Sequence, residues 1–198
     1  MRIQPWNLVF LIGLIVFTYI RVVFGRRTKS NVKIVSRVDR LERILVTFLG
    51  LGYFTVPIYL FTPWFAFADY HLPVLAPWCG VALMVFALWL FYRAHADLGQ
   101  NWSITLEIRK GHQLVTQGVY RFVRHPMYAS FWLWSLAQGL MLENWLAGWS
   151  YFVGFAPMYF LRVPREEQMM CESFGQEYLD YMRRSGRLIP RINLENDA

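Results

Sequence analysis

The charged residues of this 198-residue chain are bunched, and the stretches between the bunches are long, apolar and nearly free of charge. That distribution admits few folds. A helix of roughly 20 apolar residues crosses about 30 Å of hydrocarbon, and backbone inside lipid must satisfy its own hydrogen bonds. Charged residues make up 17% of the chain, below the usual quarter for a soluble domain, while 56% is apolar and 18% aromatic. The chain therefore reads as an all-α integral membrane protein with about five transmembrane helices.

The first span runs from Trp6 to Phe24, with Arg21 one turn from its end and able to snorkel to the interface. Its apolar run is too long for a signal peptide and no small-residue cleavage pattern follows. Gly25 to Arg43 is strongly basic, and Val35, Val38, Leu41 and Leu45 recur at helical spacing. This predicts an amphipathic helix on the membrane surface, running into the second span at Ile44 to Thr62. The basic cluster lacks the length and aromatic interleaving of a nucleic-acid site. Pro57 is expected to kink the second span. Trp64, Tyr70 and Trp78 form an interfacial aromatic belt beside the turn from Pro63 to Pro73.

The third span is Val74 to Tyr92, followed by a long polar loop from Arg93 to Arg124. Met127 to Leu142 and Trp145 to Val163 form the fourth and fifth spans, and the tight turn at Glu143 and Asn144 makes them an antiparallel hairpin. The fourth is short and can stop before the far face. Pro164 to Ser185 reads as a separate helix outside the membrane, with Pro164 at its start and Met170, Phe174, Tyr178 and Tyr181 on one stripe. Gly175 within it suggests close packing, and the polar tail from Asn193 is expected to fray. The outer turns at residues 63–73 and at Glu143 carry no lysine or arginine, whereas the loops after the first, third and fifth spans hold nearly all 20. By the positive-inside rule these loops face the cytoplasm. The two cysteines, Cys79 and Cys171, offer neither a disulfide framework nor a metal spacing.

Against this background Gly111 to Tyr128, GHQLVTQGVYRFVRHPMY, stands out: two histidines, two arginines and two glycines lie beside a span. Gly111 and Gly118 let the backbone approach a ligand closely. His125 and Tyr128 share a helix face, and so do Arg162 and Glu166 at the end of the fifth span. The hairpin must bring these pairs together at the cytoplasmic face, a polar set suited to a zwitterionic ligand. Singly, each has an ordinary reading: Arg124 and His125 as interfacial flanks, Tyr128 as a belt residue, Glu166 and Glu167 as helix N-terminal charges. His71 and His95 have no clustered partners and read as solvated or structural.

The run HQLVTQGVY, then RHPMY, two aromatic spans, R-x-x-x-EE and FGQEYLDY resembles the isoprenylcysteine carboxyl methyltransferase family and its phospholipid methyltransferase relatives, over roughly residues 93–190. The resemblance implies a division into N-terminal transmembrane helices with a basic linker (1–92) and a methyltransferase region (93–198) with a cytoplasmic cofactor-binding loop and C-terminal helix. It implies S-adenosylmethionine as cofactor and a lipophilic small-molecule or lipidated substrate reached from the lipid. At matching positions, His112, Gln113, Leu114, Val115 and Tyr120 would line the cofactor site, as would His125, Pro126, Met127 and Tyr128. Glu166 would hold its polar end. Arg162 would pair with the substrate carboxylate. Ser130 stands where the family often has glycine, and the further N-terminal spans of larger eukaryotic members are missing, which leaves a prenylated protein substrate open.

A carboxylate is nucleophilic at neutral pH and needs only orientation, which a guanidinium provides. An amine substrate would need a proton acceptor, and Glu167 is the candidate. Three alternatives to O-methylation stay open: N-methylation of a phospholipid head group, a sterol-reductase-like NADPH oxidoreductase, and a non-catalytic scaffold. The expected location is the bacterial inner membrane, or the endoplasmic reticulum in a eukaryote, with the site facing the cytoplasm.

Overall fold

The computed structural model describes residues 4–27, 33–36, 39–101, 107–109 and 113–191. Its elements follow in chain order: α1 (Pro5–Arg27), β1 (Lys33–Ser36), α2 (Arg40–Phe61), α3 (Leu75–Leu98), β2 (Glu107–Arg109), α4 (Pro126–Leu142), α5 (Trp145–Phe174) and α6 (Gln176–Arg184). The architecture is helical, as expected for a membrane protein. Helices α1, α2 and α3 are long and apolar enough to cross a membrane. Helix α4 has 17 residues, about 25 Å at the usual rise and short of a full hydrocarbon core.

Helix α4 is the centre of the bundle, packed between α3 and α5 with α1 alongside, while α2 lies on α5. Its sequence explains this position. Residues such as Tyr128, Phe131, Trp134, Ala137, Gln138 and Met141 are buried on several faces, and a helix apolar all round must be enclosed. Aromatic rings fill the contacts: Phe17 stacks on Phe91 with centroids 4.1 Å apart, and Phe131 meets Phe155 edge-on at 5.2 Å. Polar side chains tie helices together where no water competes. Gln138 donates to the Ala147 carbonyl (2.6 Å) and to Ser150 Oγ (3.0 Å), and Ser150 meets Thr55 of α2 at 2.7 Å.

The α4–α5 turn is tight, as its sequence predicts. Glu143 takes a left-handed conformation (φ 47°). Asn144 caps α5, accepting from the Leu146 and Ala147 amides at 3.0 and 2.8 Å. Its Nδ2 donates outward to the Phe65 carbonyl (2.7 Å) and Asp69 Oδ1 (2.8 Å), so one side chain also pins the α2–α3 connection. Of the expected belt residues, Trp64 and Trp78 are exposed. Tyr70 instead turns inward, donating to the Gly139 carbonyl (2.6 Å) and accepting from Trp149 Nε1 (3.1 Å).

Two expectations need correction. The basic segment is not one amphipathic helix: Lys33–Ser36 is a strand paired antiparallel with Glu107–Arg109. The local sequence KIVS carries adjacent β-branched residues that favour strand. Helix α2 starts only at Arg40, where Asp39 accepts the Glu42 amide at 2.8 Å. Residues 28–32 and 37–38 lie outside the described residues, as does the tail from Asn193. Second, no new helix begins at Pro164. Helix α5 runs unbroken through Pro157 and Pro164 to Phe174, and the break falls at Gly175, whose φ of +54° suits glycine. No packing neighbour comes within 4 Å of a Cβ at Gly175, so conformation rather than close packing explains this residue. Helix α2 likewise runs through Pro57 to Phe61.

Replacing Asn144 with Ala removes one cap and two donor bonds, which should cost about 2–3 kcal/mol. Asn144→Ser keeps the cap and should recover roughly 1 kcal/mol of it. Thermal unfolding of the detergent-solubilised variants measures both.

Candidate active site

The site begins where α3 overruns its predicted end by a turn and a half into the polar loop. This extension carries Asp97, which pairs with Arg93 at 2.8 Å and accepts the Val119 amide at 2.9 Å. Gly118, at φ +58°, lies against that carboxylate, and a Cβ there would collide with Asp97 Oδ2. Gly118 thus packs against Asp97 of the protein itself. The following turn places Tyr120 inside, its hydroxyl 3.3 Å from the Ala94 carbonyl and its own carbonyl accepting from Tyr181 Oη at 2.6 Å.

The chain then runs alongside the segment after α6. Val123 bridges Gly186 in parallel register. The Arg124 amide donates to the Gly186 carbonyl (2.8 Å) and the His125 amide to the Arg187 carbonyl (3.0 Å). Pro126 opens α4 where a missing amide proton costs nothing. This strap holds His125, 5% exposed, against the α5 carboxylates.

Glu167, 6% exposed, gathers three cationic or proton-bearing groups. Arg124 Nε and His125 Nε2 both lie 3.2 Å from its Oε1. Arg187 donates through Nε (3.2 Å) and Nη2 (2.5 Å). A carboxylate only accepts, so His125 donates through Nε2, with Nδ1 turned toward Glu166 Oε1, 4.0 Å away. Burial pushes the Glu167 carboxyl up, but hydrogen bonds from His125 and Arg187 outweigh it and hold the group at about 2. Glu166, one residue earlier and 30% exposed at its side chain, accepts from Tyr128 Oη at 2.7 Å.

The expected meeting of α4 and α5 is present: His125, Tyr128, Glu166 and Glu167 form one cluster. Arg162 lies one turn earlier on α5, 5% exposed, and its Nη1 is 3.0 Å from Oε1 of Glu42 at the start of α2. Pro126 is buried and Met127 half-buried beside the cluster. Gln113 is exposed, its amide donating to Asn101 Oδ1 at 3.2 Å, and Leu114 and Val115 are half-buried. His112 lies outside the described residues. Ser130 is buried and donates to the Met127 carbonyl at 2.6 Å. His71 is exposed, while His95 is buried and donates through Nδ1 to the Phe91 carbonyl at 2.8 Å.

Sequence reasoning missed Glu42 and Arg187. The pattern Asp39-x-x-Glu42 ahead of an apolar run is a helix-start signal that would have moved α2 back to include Glu42. Nothing local marks Arg187, whose place depends on the strap.

Residues 79–172 match the sequence profile of the isoprenylcysteine carboxyl methyltransferase (ICMT) family. This match overlaps the part of the chain on which the motifs carry their resemblance. Among curated proteins the chain is 30% identical over 116 residues to protein-S-isoprenylcysteine O-methyltransferase B of Arabidopsis thaliana, covering 58% of this chain and 59% of that protein. It is 34% identical over 115 residues to the human protein-S-isoprenylcysteine O-methyltransferase, covering 57% and 40%. The chain thus matches roughly half the length of these relatives. A solved structure of a eukaryotic intramembrane Ras methyltransferase, also ICMT, aligns over 96% of this chain and 70% of its own with a TM-score of 0.56 and 24% identity. At that identity the likeness speaks to the fold, which it extends to the N-terminal helices outside the matched segment.

The depressed Glu167 carboxyl sets an acid limit on the cluster. A group at about 2 when folded and near 4.5 when unfolded stabilises fully above 4.5 and loses that contribution as pH falls toward 2. The share is about 3 kcal/mol. Melting of the wild type between pH 7 and 2 should fall steeply in this window. Glu167→Gln should melt lower at pH 7 and show a shallower acid decline.

Proposed function

We propose that this chain is a membrane methyltransferase that uses S-adenosylmethionine to O-methylate the carboxylate of an isoprenylcysteine-like or other lipidic acid. The observation that carries this reading is the convergence of His125, Tyr128 and Glu166 beside a buried arginine, Arg162, within the family-matching segment. The donor set fits the cofactor. Glu166 keeps acceptor capacity beyond its bond to Tyr128 and is partly open, which suits an ammonium or hydroxyl group.

In this reading Glu166 holds the cofactor's polar end and Tyr128 orients Glu166. His125, Pro126 and Met127 form one wall, while His112, Gln113, Leu114 and Val115, with Tyr120, supply the other, partly through backbone groups. The bound cofactor supplies an electrophilic methyl group on a sulfonium. Arg162 orients the substrate carboxylate, whose oxygen needs no base, so catalysis is chiefly positioning in a dry setting. Glu167 keeps His125 and Arg124 in place. Hydrogen bonds from His125 and Arg187 hold it well below the carboxylate range, which makes it a poor proton acceptor for an amine substrate and favours ester formation.

The division into a transmembrane part (1–92) and a methyltransferase region (93–198) is functional rather than spatial, since Glu42 reaches into the site. The proposed site faces the cytoplasm, at a bacterial inner membrane or the endoplasmic reticulum, a reading supported by the positive charge of the loops on that side. The substrate is a lipophilic or lipidated acid, not a nucleic acid.

Calorimetry of S-adenosylhomocysteine with detergent-purified protein should show micromolar binding, weakened about tenfold or more by Glu166→Gln and by His125→Ala. Arg162→Ala should abolish transfer of labelled methyl to a base-labile ester while keeping cofactor affinity within about threefold. Absence of binding to the wild type would overturn the proposal.

A further inference from the structure

The arginine assigned to the substrate carboxylate already holds a carboxylate of the protein. Arg162 Nη1 lies 3.0 Å from Glu42 Oε1, with Glu42 1% and Arg162 5% exposed. The pair is one half of a ladder. Three residues along each helix, Arg165 Nη2 donates to Asp39 Oδ2 at 2.6 Å. Asp39 in turn accepts the Glu42 amide through its other oxygen at 2.8 Å, so the first turn of α2 is clamped on α5 at two points. Neither partner of the buried pair can relax into water. A charged pair at such a depth repays its desolvation only when its geometry is good.

A buried, uncompensated guanidinium would bind a substrate carboxylate strongly in the ground state. The carboxylate loses that charge as the ester forms, so tight ground-state pairing lowers KM and slows turnover together. A second carboxylate on the same guanidinium weakens the ground-state pairing and leaves the substrate oxygen more nucleophilic. We propose that Glu42 is a positioning residue that holds Arg162 in place and tempers its grip on the substrate carboxylate, so that orientation is kept without trapping the nucleophile. This rests on the methyltransferase reading and assigns a residue of the N-terminal helices to its site.

The kinetic test uses labelled S-adenosylmethionine with N-acetyl-S-farnesylcysteine as the acid probe. Glu42→Gln should lower KM for the probe about threefold and kcat about tenfold, with homocysteine-analogue affinity unchanged within about twofold. Glu42→Asp, which keeps the charge, should recover most of kcat. A purely structural residue would not separate kcat from KM in this direction. Unchanged constants, a raised KM, or cofactor affinity falling in step with kcat would each overturn the proposal. A thermal-stability cycle of Glu42→Gln, Arg162→Gln and the double variant runs beside it. Non-additive losses are expected, and additive losses show that Glu42 does not hold Arg162. A wild type that binds S-adenosylhomocysteine but leaves the probe unmethylated would remove the substrate class, and the cycle would still decide whether Glu42 holds the arginine.

Discussion

The buried carboxylate of Glu167 joins three parts of the chain that are far apart in sequence: Arg124 and His125 before α4, its own place on α5, and Arg187 after α6. A carboxylate this deep is costly unless each lone-pair direction meets a donor. Here the donors are supplied by the segments that must be held. The charge organises this end of the bundle in the same way that aromatic packing organises its middle. Without Glu167, Arg124 and Arg187 would lose the carboxylate they share, and the strap from Ser185 to Arg187 would keep only its bonds to residues 122–125.

The rest of the site follows from rigid rods carrying short polar runs. Helix α5 passes through two prolines without ending, each forfeiting one backbone hydrogen bond. Its packing between α2 and α4 outweighs that loss and keeps Arg162, Glu166 and Glu167 on one continuous element. The residues assigned to substrate and to cofactor are therefore one turn apart on a single rod, facing α2 on one side and α4 on the other. Such placement is more precise than a loop would allow.

Much of this was legible beforehand. The apolar runs marked the places of the five long helices, of which α1, α2 and α3 are long and apolar enough to cross a membrane. The two-residue turn at Glu143 and Asn144 forced the hairpin, and from the hairpin alone His125 and Tyr128 had to meet Glu166. The misread parts share a cause. The strand at Lys33–Ser36 depends on a partner at Glu107–Arg109 that no local pattern reveals. The continuation of α5 past Pro164 depends on neighbouring helices, which overrule a local stop signal. Gly118 reads in the sequence as a place for a ligand to come close, whereas in the fold it packs against Asp97, a neighbour that no local pattern reveals.

By itself the sequence determined the solvent of this protein, the number and order of its long helices, and the pairing of α4 with α5, since these depend on periodicity, length and turn size. Its motifs also carried the resemblance to the family whose profile residues 79–172 match. Tertiary structure alone decided which charges neutralise which. Arg162 meets Glu42, and Glu167 meets Arg124, His125 and Arg187, because lateral helix neighbours and strand register bring them within 3.2 Å. Ion pairing is short-ranged and blind to sequence distance, so it is written only in the folded arrangement.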